Sequence, residues 1–114
     1  MANKTNKMYN MSKYFNEDIR YALEYYVDKS CKKHIPALIY YKKNNKWYIN
    51  NKNIPDIFIT VYDGTRYFNG NLDTAKSYFQ NNKFILTVIY SYVNSDWYIN
   101  NIDNPSLFVL CNNL

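Results

Sequence analysis

Hydrophobic positions follow two different spacings along the chain, and each spacing predicts a type of element. Over residues 12–31, apolar side chains return every three or four positions, which predicts an amphipathic helix. Residues 37–41 and 46–50 are short apolar segments with strand character, and Asn44-Asn45 between them predicts a two-residue hairpin turn. A third strand is predicted over 56–62. The first half of the chain therefore predicts one helix followed by three strands.

The second half repeats this pattern at an offset of fifty residues. Residues 38–61 align without a gap onto 88–111, and ten of the twenty-four pairs are identical. In the first copy, the identical residues are Ile39, Tyr40, Asn44, Trp47, Tyr48, Ile49, Asn50, Asn51, Pro55 and Phe58. A second helix is predicted over 72–81. Self-similarity of this kind indicates a duplicated structural unit.

Together these elements predict an α+β fold with a tandem αβββ-αβββ duplication. We expect an antiparallel sheet with two helices packed on one face, because amphipathic helices bury their apolar side against a sheet. Residues 1–11 are predicted to be a flexible lead. Residues 12–114 are predicted to form a single domain of two repeats, 12–63 and 71–113, which is long enough for a core without disulfide bonds.

The predicted hairpins also assign side chains to the two faces of the sheet, since residues opposite each other share a face. One face is predicted to be the core under the helices, with Leu38, Tyr40, Trp47, Ile49, Val88, Tyr90, Tyr92, Trp97 and Ile99. The other face is predicted to point away from the helices. We predict that five of its residues bind a partner, namely Tyr41, Lys43, Lys46, Tyr48 and Tyr98.

Charge is distributed unevenly along the chain. Residues 1–54 carry eleven Lys or Arg against four acidic residues, whereas residues 55–114 carry three against five, for a formal net charge of +5. This asymmetry favours an acidic partner, for which a nucleic acid, an acidic protein surface and an anionic membrane are the alternatives. Asn, Lys, Tyr, Ile and Phe supply 62 of the 114 residues. All five have A/T-rich codons, so part of the tyrosine content reflects an AT-rich genome.

The sequence lacks the residue combinations that most enzymes use. His34 is the only histidine, Cys31 and Cys111 do not form a CxxC motif, and the carboxylates are scattered through predicted turns. We therefore predict no enzymatic activity, no cofactor and no metal site. The chain also carries no apolar segment typical of a signal peptide or a membrane span, so a cytoplasmic location without membrane association is expected.

These observations favour a non-enzymatic protein-binding module. We expect an accessory protein of a phage or another mobile element that inhibits a host or defence protein, as an anti-CRISPR or other anti-defence protein does. The alternatives are a nucleic-acid-binding protein that uses the basic first half, and a protein that sequesters a nucleotide or another small ligand. Alternatively, the tyrosine-bearing face is the contact surface of a homodimer.

Overall fold

The structure is a computed structural model that describes residues 8–27, 37–51, 54–81 and 85–113. Its elements in chain order are β1 (Met8–Asn10), α1 (Ile19–Val27), β2 (Ala37–Tyr41), β3 (Lys46–Asn50), β4 (Phe58–Asp63), α2 (Leu72–Asn81), β5 (Thr87–Ser91), β6 (Asp96–Asn100) and β7 (Phe108–Asn113). The strands are hydrogen-bonded in this same order, β1 to β7, as a closed barrel.

The predicted α+β fold class is therefore wrong. The described residues form mostly a seven-stranded barrel with two short helices, and they do not form an antiparallel sheet with two helices packed on one face. Among the pairings whose register is described, two are parallel: β1 pairs with β2, and the end of β4 pairs with β5. Each of these two pairs is connected through one of the helices, as sequential parallel strands require a crossover. A short strand, β1, also lies within the predicted flexible lead.

The helices begin at side chains that accept hydrogen bonds from the first turn. Asp18 Oδ1 accepts from the Arg20 N–H at 2.9 Å, and Asn71 Oδ1 accepts from the Thr74 N–H at 3.2 Å, so both are N-caps. The predicted bounds of α2 are confirmed. Helix α1 begins at Ile19 instead of residue 12, because residues 11–18 form turns.

The hairpin loops are longer than predicted. Tyr41 pairs with Lys46 across a four-residue loop, in which Asn45 has a φ of 58° and its N–H donates to the Tyr41 carbonyl at 2.9 Å. The predicted register is thus shifted by two residues. A shift of two keeps every side chain on its predicted face, because the side-chain period of a strand is two.

The helices, however, lie on the opposite face from the predicted one. The chain divides into two compact units, 1–61 with 112–114, and 62–111. In the first unit the helix-side core comprises Met11, Phe15, Ala22, Tyr26, Ala37 and Ile39. In the second it comprises Phe68, Ala75, Phe79, Ile89 and Phe108. Leu38, on the other face of β2, is also fully buried, so β2 is buried on both of its faces.

The residues retained by the duplication have matching structural roles. Asn50 Oδ1 accepts from the Ala37 N–H, and Asn100 Oδ1 accepts from the Thr87 N–H, both at 2.9 Å. The Trp47 ring lies 5.3 Å from that of Tyr40, and the corresponding Trp97–Tyr90 distance is 5.2 Å. The retained residues thus maintain the scaffold, which leaves the divergent positions as candidates for function.

Glu17 is a divergent position where the duplication predicts a stability change. Its φ is 55°, and Gly70, whose carbonyl makes the equivalent hydrogen bond to the second hairpin, has a φ of 64°. Only glycine adopts this left-handed conformation without a steric penalty. We expect Glu17→Gly to raise the free energy of unfolding by about 0.5–1 kcal/mol, as measured by urea denaturation.

The control for this prediction is Gly70→Ala. A Cβ at Gly70 would clash with the ring of Tyr92, and alanine would also have a steric penalty at this positive φ. This variant should therefore be less stable than the natural protein. A Glu17→Gly protein less stable than the natural one would show that the Glu17 side chain makes a stabilising contribution larger than its backbone penalty.

Candidate partner-binding surface

Four of the five predicted binding residues lie at the end of the first hairpin. Tyr41 and Lys46 are paired across β2 and β3, and the rings of Tyr41 and Tyr48 are 6.2 Å apart. Lys43 is exposed in the connecting loop. The fifth residue, Tyr98, belongs to β6 of the second unit. We call Lys42, Lys43 and Lys46, with the half-buried Tyr41, the basic tip.

The two tyrosines retained by the duplication have a structural function in the hairpins. Asn44 Nδ2 donates to the Tyr48 hydroxyl at 2.7 Å, and Asn94 Nδ2 donates to the Tyr98 hydroxyl at 3.0 Å. Tyr98 also packs against the core cluster that includes Phe79 of α2. Its expected position away from the helices is therefore wrong. Retention of these tyrosines is explained by loop closure without any partner.

Charged groups from the turn before α1 approach the basic tip. The Arg20 guanidinium donates to both carboxylate oxygens of Asp18, at 3.0 and 2.7 Å, while its side chain remains 70% exposed. These hydrogen bonds lower the pKa of Asp18, with a smaller contribution from the charge of Lys43. Asp18 raises the pKa of Arg20, and Tyr41 adds a smaller effect. Arg20 and Asp18 thus form an ion pair in which the two charges offset each other.

The backbone attaches this hairpin to the same turn. The Lys42 N–H donates to the Glu17 carbonyl at 3.0 Å, and the equivalent Tyr92 N–H donates to the Gly70 carbonyl at the same distance. Both hairpin loops are therefore held in the same way by their own unit.

The equivalent loop of the second unit has different chemistry. Tyr92 and Val93 occupy the positions of Lys42 and Lys43, and Val93 is 90% exposed. Asp96 replaces Lys46, and Asp73 replaces Arg20. We call Tyr92 and Val93 the apolar tip. The same loop geometry thus presents cations in one unit, and apolar groups beside two acids in the other.

Each unit also carries an exposed aromatic cluster that the sequence comparison missed. In the first unit the ring of Tyr14 lies 4.8 Å from Phe15 and 6.2 Å from Tyr25. Tyr67 lies 4.9 Å from Phe68 and 6.0 Å from Tyr78 in the second. The signal was present in the sequence, because Tyr-Phe-Asn occurs at 14–16 and again at 67–69, although at an offset of 53.

An open pocket of about 530 Å³ lies at the first of these clusters. Its lining consists of Tyr14, Phe15, Asn16, Tyr21, Glu24 and Tyr25. The turn before α1 provides the first three of these residues, and one exposed side of α1 provides the others. We call this site the tyrosine pocket.

Within the described residues, few groups have the properties of catalytic or metal-binding residues. No group of three or more His, Cys, Asp or Glu side chains there has an arrangement that could hold a metal ion. Burial raises the pKa of the Cys111 thiol to about 12, which keeps it protonated at neutral pH. Cys31 and His34 lie outside the described residues. In the part of the chain that the structure describes, both helices are too short to cross a membrane.

Comparison with known proteins adds no relative. No protein-family model, no curated protein and no solved structure matches this chain. The residues themselves and the differences between the two units are therefore the basis for a functional proposal.

Proposed function

We propose that this protein is a non-enzymatic binding module that presents its hairpin tips to a protein partner. The observation that supports this proposal is the divergence of two loops with the same backbone geometry: one carries Lys42 and Lys43, and the other carries Tyr92 and Val93. Loops on a rigid scaffold are common positions for binding residues. The retained residues maintain the fold, whereas the divergent tips are available for contact.

The chemistry of the tips favours a protein as the partner. The basic tip suits an acidic surface, and its exposed lysines would increase the association rate. An exposed valine and tyrosine at the apolar tip suit a hydrophobic patch, which protein surfaces offer and the phosphate backbone of a nucleic acid does not. That the partner is a host or defence protein inhibited by a mobile-element protein stays a prediction from the sequence.

Charge reversal at the basic tip tests this proposal. We expect Lys43→Glu combined with Lys46→Glu to slow association with the partner by about tenfold at low salt, with a smaller effect on dissociation. The partner would first be isolated by affinity purification with the tagged chain, and the rates would then be measured by surface plasmon resonance. Lys13→Glu combined with Lys76→Glu is the matched control, because it changes the net charge equally and leaves the residues of the basic tip unchanged.

Two outcomes would contradict the proposal. Equal association rates for the tip variant and the control would show that the basic tip makes no contact. Tight binding to an oligonucleotide would instead support the nucleic-acid alternative, provided that the logarithm of the affinity falls linearly with the logarithm of the salt concentration.

A further inference from the structure

The tyrosine pocket has the geometry of an incomplete aromatic cage. The rings of Tyr14 and Tyr25 are nearly perpendicular, with an interplanar angle of 82°, and both make edge contacts with the buried ring of Phe15. Tyr21, which is 52% exposed, completes the lining on the α1 side together with Glu24. Three tyrosines thus surround an opening beside a carboxylate.

Such a combination attracts cations for two physical reasons. The face of each aromatic ring carries partial negative charge, and a cation within about 6 Å of the ring centre is attracted to it. The Glu24 carboxylate adds a full negative charge. No ion pair of Glu24 is found among the described residues, and the neighbouring Arg20 is held by Asp18. The pocket lining therefore suits a cationic ligand.

The second unit provides an internal comparison for this site. Tyr67, Phe68 and Tyr78 reproduce the aromatic cluster, and the Phe68–Tyr78 distance of 5.4 Å equals that between Phe15 and Tyr25. Thr74 and Ser77, however, replace Tyr21 and Glu24. The shared part of the cluster covers the core of each unit. The additional ring and the carboxylate occur in the first unit alone.

We infer that the tyrosine pocket binds a methylated ammonium group. A primary ammonium ion is strongly hydrated, so an open pocket of aromatic rings gains little from it. Methyl groups on the nitrogen weaken this hydration and contact the rings, while the positive charge remains for Glu24. This group occurs in small molecules such as choline and in trimethyllysine side chains. The inference does not depend on the proposed function, because the pocket and the tips use different residues.

Binding of choline and of N-acetyl-trimethyllysine amide would be measured by NMR, through the ring signals of the tyrosines. We expect both cations to shift the signals of Tyr14, Tyr21 and Tyr25, and to leave those of Tyr67 and Tyr78 unchanged. The tighter ligand identifies the source, a small molecule or a protein side chain. The neutral carbon isostere of choline is the control for simple hydrophobic contact. Equal shifts with the isostere and with choline would overturn the inference. Shifts of equal size in the tyrosine signals of the two units would overturn it as well.

Reciprocal exchange between the units gives a second test. Tyr21→Thr with Glu24→Ser should weaken cation binding by at least tenfold, and Thr74→Tyr with Ser77→Glu should create binding in the second unit. All four positions are exposed, so the variants should retain the fold, which circular dichroism would check. Unchanged affinity of the first variant would also overturn the inference. Lys43→Glu with Lys46→Glu should leave choline binding intact, which separates this result from that of the proposed function.

Discussion

Replacement of Trp47 by alanine is expected to lower the free energy of unfolding by about 3–5 kcal/mol. The indole is only 6% exposed, lies 5.3 Å from the ring of Tyr40 and is paired with Val61 in β4. Its removal would leave a large cavity at the junction of three strands, and a packed interior refills such a cavity only in part. This loss is a large fraction of the stability of a domain of this size.

Urea denaturation followed by circular dichroism would measure this change, and Trp97→Ala is the matched control. Trp97 has the equivalent position in the second unit and a similar contact with Tyr90, but it is half-buried. We therefore expect a smaller loss, because less apolar surface is removed from the interior. If Trp97→Ala lowers the free energy of unfolding as much as Trp47→Ala or more, the result would contradict the difference in burial between the two tryptophans.

Asn100→Ala should produce the second large effect, because we expect it to lower the free energy of unfolding by about 2–4 kcal/mol. Asn100 is 3% exposed, and its side chain makes two hydrogen bonds to the backbone near the start of β5. Oδ1 accepts from the Thr87 N–H at 2.9 Å, and Nδ2 donates to the Ile85 carbonyl at 3.0 Å. Alanine would leave the Thr87 N–H without its acceptor, and the Ile85 carbonyl would keep only the Thr87 hydroxyl as a donor. A buried polar group that has lost its hydrogen bond is costly because water cannot replace the partner.

Two further variants define what Asn100 contributes. Asn100→Asp keeps the acceptor for Thr87 but places a carboxylate oxygen next to the Ile85 carbonyl, so it should also be destabilised. Asn104→Ala, in an exposed turn, should change stability by less than about 0.5 kcal/mol. Hydrogen exchange at the Thr87 amide should accelerate in Asn100→Ala. A loss below about 1 kcal/mol would show that the two bonds are replaced by other contacts.

The local elements were predictable because their signals are local. The bounds of β2, β3 and α2 follow from short apolar segments, turn residues and helical spacing within about ten positions. The parallel pairing of Tyr9 with Ala37 has no such signal, since it joins segments separated by a helix. A three-residue strand without that pairing resembles an unstructured lead.

The incorrect position of the helices has a more specific cause. Predicting one solvated face required apolar and polar residues to alternate in the strands, yet Leu38 and Ile39 are adjacent and both fully buried. Consecutive apolar residues are typical of strands buried on both faces, as in β2 and β5. Ile39 and its counterpart Ile89 were therefore the residues that indicated a covered second face.

The sequence indicates only some of the residues in the candidate sites, for a related reason. Lys43 and Lys46 were identifiable because charged residues in a hairpin loop are expected to be exposed. The tyrosine pocket was missed because the helices repeat at an offset of 53 and the strands at 50. The difference corresponds to three additional residues between α1 and β2. An ungapped comparison at a single offset cannot detect both parts of the duplication.

Strand β4 also limits how the two repeats could separate during evolution. Its first four residues pair with β3, and Tyr62 and Asp63 pair with β5, as Tyr9 and Asn10 of β1 pair with β2. One strand thus ends the first repeat and begins the second. Recombination at this boundary would remove strand pairing from one of the products. The duplication has therefore produced two overlapping repeats, and a gene for a single repeat would have to encode β4 in full.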